Sequence, residues 1–117
     1  MKVNKTMIMA DVTTQQAIVH FIASHIREAS DAQRVAGEIE QIAYSYDIQL
    51  LVLNFSRLQQ MTSAFIGKLI TLQKSLEQMD IKLRLCGMTR EVEKAFKICK
   101  LDKIIPLYRT EKKALSG

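Results

Sequence analysis

The chain has 117 residues, with 48% hydrophobic and 25% charged residues, four Gly, one Pro and no Trp. That length fits one domain with a real core, and ordinary globular fractions exclude a disordered, collagen-like or low-complexity chain. Residues 1–81 carry seven basic and eight acidic groups, whereas residues 82–117 carry ten basic and four acidic, so the formal charge of +5 belongs to the C-terminal third. Such a bias suits nucleic acid, anionic lipid or an acidic protein. Here the basic residues alternate with Leu, Ile, Phe and Cys, without RNA-binding aromatics or zinc-finger spacing. They read as a solvated or acidic-partner face, with no direct nucleic-acid contact expected.

No apolar run reaches membrane-spanning length and no signal-peptide pattern opens the chain, so no membrane insertion is expected and the expected location is cytoplasmic. Cys86 and Cys99 form no CxxC motif. They read as reduced, buried thiols in keeping with that compartment.

In chain order, Met7–Val12 and Ala17–Ala23 are apolar-rich stretches around Thr13–Gln16, which predicts a hairpin. Ser30 with Gln33 three residues on has capping-box spacing, predicting a helix from about Asp31 to Tyr46 that buries Val35, Ile39, Ile42, Ala43 and Tyr46. The apolar run Leu50–Phe55 reads as a central strand covered on both faces, followed by a linker over Ser56–Gln60. A second helix begins at Thr62–Ser63 and buries Phe65, Leu69, Leu72, Leu76 and Met79, with Ile66 and Ile70 widening the stripe.

Ile81–Cys86 alternates apolar and basic residues, as a half-exposed strand nearer a sheet edge does. Gly87 ends it, and Thr89 caps a third helix whose apolar face is Val92, Ala95, Phe96 and Cys99. Lys103–Tyr108 predicts a last edge strand around Pro106, and Glu111–Leu115 a closing helical turn. The order β-β-α-β-α-β-α-β-α predicts a single α/β domain over residues 1–117. Its sheet is expected to be mixed, mostly parallel and four- to five-stranded, packed by about four helices.

Catalysis is not expected: no Walker, GxGxxG, GxSxG or HExxH motif is present. His20 and His25 read as surface or satisfied core histidines, no metal site suggests itself, and no cofactor is implied. The informative place is Met61-Thr62-Ser63-Ala64-Phe65-Ile66-Gly67-Lys68, where two hydroxyl residues open the strongest helix. Thr62 or Ser63 can serve as its N-cap. A phosphoryl group on Ser63 would also be stabilised there and would add up to two negative charges. Gly67, one turn on, leaves the helix surface bare for a partner backbone. Anion or nucleotide binding at the same helix end, aided by Lys68 and Arg57, is a further reading.

These pieces resemble the STAS family, which includes the bacterial anti-sigma factor antagonists. The resemblance runs through LLVLNFSRL (Leu50–Leu58), MTSAFIGKL (Met61–Leu69), KLRLCGMTREVEKAFKICKLDKIIPLY (Lys82–Tyr108) and EKKAL (Glu111–Leu115). It implies a partner-switching protein that binds an anti-sigma factor with serine kinase activity, is released by phosphorylation of a loop serine and is reset by a serine phosphatase. Ser63 falls on the acceptor position, with Thr62 as the alternative acceptor, and Met61, Thr62, Ser63, Ala64, Phe65, Gly67 and Lys68 make the docking surface. The chain departs from the family pattern in three places. Thr62 stands where the family has an acidic residue, Phe65 where it has a small Gly, and Ser24-His25-Ile26-Arg27 replaces a Gly-x-Leu-Asp stretch. The resemblance equally suits a constitutive STAS subunit of a lipid-transport ATPase or a stressosome-like complex. It leaves the oligomeric state open, a homodimer included.

Overall fold

The computed structural model describes residues 1–117. Eight strands and four α-helices follow one another as β1 (Lys2–Asn4), β2 (Ile8–Val12), β3 (Gln16–Phe21), β4 (His25–Ile26), α1 (Ala29–Ser45), β5 (Leu50–Asn54), β6 (Gln60–Met61), α2 (Ser63–Gln78), β7 (Lys82–Cys86), α3 (Arg90–Ile98), β8 (Leu107–Tyr108) and α4 (Glu111–Ser116). A 3-10 turn over Leu101–Lys103 links α3 to β8. Six strands form one sheet in the order β1-β2-β3-β5-β7-β8, and β4 pairs with β6 in a separate two-stranded ribbon. β2 runs antiparallel to both neighbours, and the pairs β3–β5, β5–β7 and β7–β8 are parallel. The domain is therefore α/β with a mixed, mostly parallel sheet, one strand larger than expected. The extra strand is β1, whose three residues at the edge carry too little alternation to be read from sequence.

Strand alternation divides the core into two unequal layers. Ile8, Ala10, Val12, Ala17, Val19, Phe21, Leu51, Leu53, Leu83 and Leu85 face α1, α2 and α3 in the principal core. Leu50, Val52 and Cys86 point the other way and meet only Ala114 of the short α4, flanked by Ile18, Tyr108 and Leu115. β5 is thus buried along its whole length, as its continuous apolar run requires. β7 lies one strand in from the β8 edge, with Lys82 exposed and Arg84 half-buried. Arg84 stays inside because its Nη1 donates to the Ala114 carbonyl at 2.7 Å while its guanidinium lies over the Tyr108 ring.

Several boundaries differ from the sequence reading. α1 starts at Ala29 with Glu28 as N-cap, so Ser30 sits inside the first turn and makes no capping bond. Ile26, held in the ribbon, brings the chain into the helix sooner than the Ser30–Gln33 pair implies. The stretch read as one strand, Lys103–Tyr108, is strand only at Leu107–Tyr108. Lys100 has φ 58° and turns the chain, after which Leu101 and Ile105 are buried four apart and joined by an Ile105 N–H to Leu101 carbonyl bond of 2.9 Å. Cys99, placed by periodicity on the apolar face, is exposed, because α3 ends at Ile98 and the chain has begun to turn away.

Candidate functional site

β3, β5 and β7 are parallel, so the loops leaving their C-terminal ends gather at one edge of the sheet, the place where open parallel sheets present functional loops. The loop from β5 to α2 is held at both ends by aromatic packing. Phe55, just after β5, meets Phe21 edge-on with ring centroids 4.9 Å apart, and Phe65, in the first turn of α2, meets Phe21 at 5.8 Å. All three rings are fully buried. Between them Leu58 is buried, and its N–H donates to the Phe55 carbonyl at 2.9 Å.

The ribbon fixes the remainder of the loop. Gln59 N–H donates to the Ser24 carbonyl at 2.7 Å, and His25 pairs with Gln60 and Ile26 with Met61. Residues 56–60, read as a plain linker, thus end in a strand that sequence alone does not reveal: neither β4 nor β6 exceeds two residues.

Thr62 is the N-cap of α2, with extended backbone and Oγ1 accepting from the Phe65 N–H at 3.4 Å. Ser63 is therefore the first helical residue and is exposed, as are Ala64 and Gly67. The division of labour left open by the sequence is settled: Thr62 caps, and the Ser63 hydroxyl is not used for capping. The first-turn N–H groups without intrahelical acceptors and the positive end of the helix dipole lie at this point. Met61, Thr62 and Lys68 are half-buried, and Gly67 leaves open space where a side chain would stand. Phe65 is a correction to the expected docking surface: with no exposed area it anchors the loop from beneath.

The structure adds residues that no motif indicated. A shallow groove of about 310 Å³ runs from the ribbon to α3 and is lined by Gln59, Gln60, Met61, Glu91, Val92 and Ala95. It joins the N-terminal turn of α3, capped by Thr89, to the surface around Ser63. The only sequence signals were the exposed polar positions flanking β6 and the acidic first turn of α3.

Beneath the loop lies a polar cluster. Asn54, the one buried polar residue, donates from Nδ2 to Glu111 Oε2 at 2.8 Å and accepts at Oδ1 from the Ser56 N–H at 2.9 Å. His20 Nε2 approaches the same Glu111 oxygen at 3.4 Å. Sequence reading found no carboxylate partner for His20 because Glu111 lies 91 positions on and only the sheet brings them together. The Cys86 thiol on this face has its pKa raised to about 11, first by burial and then by the Glu111 charge, so it stays protonated and unreactive. Asn54 thereby ties α4 to the first residues of the β5–α2 loop. Gly87 makes room for it: at φ 72°, a Cβ on Gly87 would lie 2.9 Å from Asn54 Oδ1.

Comparison with known proteins agrees with this architecture. The family model for the STAS domain matches residues 3–114. No curated protein sequence matches the chain significantly. Among solved structures, the chain is similar to the anti-sigma factor antagonist SpoIIAA in its unphosphorylated form, with TM-score 0.75, 18% identity and 93% of each chain covered. It is similar also to the Bacillus cell fate determinant SpoIIAA in the phosphorylated form, with TM-score 0.67, 17% identity and 93% and 96% of the two chains covered. An anti-sigma factor antagonist from Mycobacterium paratuberculosis gives TM-score 0.81, 17% identity and 93% and 90% coverage. At these identities the structures speak for the fold, and the family model, which spans nearly the whole chain, assigns the chain to the STAS domain family.

Proposed function

We propose that this STAS protein is a cytoplasmic partner-switching protein resembling the anti-sigma factor antagonists, acting by binding and not by catalysis. In this reading it docks an anti-sigma factor with serine kinase activity through Met61, Thr62, Ser63, Ala64, Gly67 and Lys68, together with the groove along Gln59, Gln60 and Glu91. Phosphorylation of Ser63 ends the complex, and a serine phosphatase restores it. The observation that carries the reading is the placement of Ser63: exposed, at the first position of α2, on a loop held by Phe55, Phe65 and the β4–β6 ribbon.

The mechanism is local. A phosphoryl group on Ser63 gains the helix dipole and free N–H groups on its own side. On the partner's side it sets up to two negative charges in the centre of a docking surface, so binding falls without refolding. Arg27, exposed and in no ion pair, follows directly on β4, whose Ile26 pairs with Met61. The acidic residue that the family has before the acceptor is replaced by Thr62, whose hydroxyl is engaged at the cap. That leaves Ser63 the freer hydroxyl.

The test is partner capture from the native cell with wild type, Ser63→Ala and Ser63→Asp, and phosphopeptide mass spectrometry of the wild type. The expected result is phosphate on Ser63, with Ser63→Ala retaining a kinase-type partner that Ser63→Asp loses. Equal capture by both variants with no phosphate on Ser63 would reject the switch, and equal capture of a transporter ATPase would identify a constitutive subunit instead.

A further inference from the structure

The excess positive charge of the C-terminal third is concentrated where α3 ends. From Lys94 to Ile104 the chain carries Lys94, Lys97, Lys100 and Lys103 against the single acid Asp102, and all four lysines are exposed. Only Lys97 has an ion-pair partner, Glu93 at 3.5 Å on the same helix. Among these lysines stand two large apolar side chains that the fold leaves in solvent, Ile98 at 71% and Ile104 at 50% exposure. Neither position is demanded by packing. α3 is anchored by Val92 and Phe96, and the following turn by Leu101 and Ile105, all buried. The turn at Lys100 is tight, with Lys100 N–H donating to the Lys97 carbonyl and Ile104 N–H to the Leu101 carbonyl, and the two exposed isoleucines flank this one corner of the chain.

We propose that this corner is a peripheral docking surface for an anionic lipid bilayer, with Ile98 and Ile104 entering the headgroup boundary and the four lysines resting on the anionic surface. The composition selects this occupant over others. Protein–protein interfaces are depleted of Lys and enriched in Arg and aromatic residues; from Lys94 to Ile104 the exposed side chains are the four lysines, Ile98, Ile104, Cys99 and Asp102, with no Arg or aromatic residue among them. Single-stranded nucleic acid needs aromatic stacking platforms, which the segment lacks. Isolated aliphatic side chains ringed by long lysines, whose stems lie on apolar surface while their ammonium groups reach phosphate, are what an anionic membrane surface attracts. The groove beside Ser63 uses Glu91–Ala95 at the start of α3, and the lysine corner uses its other end. A nine-residue helix separates them by roughly 13 Å, so a bound bilayer leaves the Ser63 surface open.

The test is co-sedimentation of the full chain with vesicles of phosphatidylcholine alone and of phosphatidylcholine mixed with phosphatidylglycerol, with each variant first checked for unchanged thermal stability. Binding is expected only to the anionic vesicles, to weaken steeply with salt, and to fall about fivefold for each Lys→Gln change at positions 94, 97, 100 and 103. Ile98→Ser with Ile104→Ser should weaken it about tenfold or more with the charge unchanged. No sedimentation with anionic vesicles would overturn the proposal. So would loss with the lysine variants but none with the isoleucine pair, since that describes a diffuse charge and no insertion. Retention of a polyglutamate peptide without vesicle binding would overturn it in favour of an acidic protein. Ser63→Asp should bind vesicles as the wild type does, which keeps this result separate from the switch.

Discussion

Replacing Asn54 by Ala tests whether α4 and the β5–α2 loop are joined through one side chain. Asn54 makes two hydrogen bonds, one to the Glu111 carboxylate at 2.8 Å and one from the Ser56 N–H at 2.9 Å. A hydrogen bond to a charged group contributes roughly 1.5–3 kcal/mol. The Glu111 side chain is 34% exposed and can recover water, so the lower figure of about 1.5 kcal/mol applies. The neutral bond to Ser56, whose residue is exposed, adds about 1 kcal/mol. Asn54→Ala should therefore cost about 2.5 kcal/mol, a fall in Tm on the order of 10 °C for a domain of this size. Urea unfolding of wild type, Asn54→Ala, Glu111→Ala and the double variant completes a thermodynamic cycle. A coupling energy of about 1 kcal/mol or more is expected, and Glu111→Ala should also speed amide exchange at Ser56, although Ser56 does not touch Glu111. Additivity within about 0.3 kcal/mol would refute the linkage.

Five further outcomes follow from the same geometry. Gly87→Ala should cost about 2–4 kcal/mol in urea unfolding, because the new Cβ combines left-handed strain at φ 72° with a 2.9 Å approach to Asn54 Oδ1; the cost should shrink in an Asn54→Ala background, and an undiminished cost would show that the contact is immaterial. Phe65→Ala should lose about 3–5 kcal/mol and raise amide exchange over residues 58–66, since it empties the buried contact with Phe21. Thr62→Ala should cost about 0.5–1 kcal/mol by thermal unfolding, the low end for an N-cap in keeping with its long 3.4 Å bond. Iodoacetamide at pH 8 should modify exposed Cys99 and spare Cys86. Because the folded state raises the Cys86 pKa from 9.0 to about 11, it holds that proton more tightly than the unfolded chain; the resulting stability is intact below pH 9 and is lost as pH rises toward 11, a slope that Cys86→Ala should remove.

Sequence pattern was most informative where one residue's environment is set by its near neighbours. The nearly continuous apolar run Leu50–Phe55 announced a strand covered on both sides, and the Phe65–Leu76 stripe announced α2, because periodicity records burial directly. It failed where geometry depends on residues far away. The ribbon has two residues per strand, too few for alternation to show, and exists only because Ser24 and Gln59 meet at the loop edge. Periodicity set Phe65 on the buried stripe and the family resemblance set it in the docking surface; the structure agrees with the periodicity, seating it against the Phe21 ring 44 positions away. Cys99 continued the apolar spacing of α3 by number, yet the helix ended one residue before it. The Asn54–Glu111–His20 cluster joins three distant segments and carries no local signal at all.

The two-residue ribbon also sets a clock. Segments 24–26 and 59–61 hold each other outside the main sheet, so neither can leave its place without releasing the other. Both loops should open in a single low-energy event, well below global unfolding. On the proposed switch, an enzyme that must draw Ser63 into an extended conformation would have to wait for that event. The rate of the proposed phosphorylation would then depend on the free energy of two short strands, and changes at His25 or Gln60, remote from the hydroxyl, should retime it.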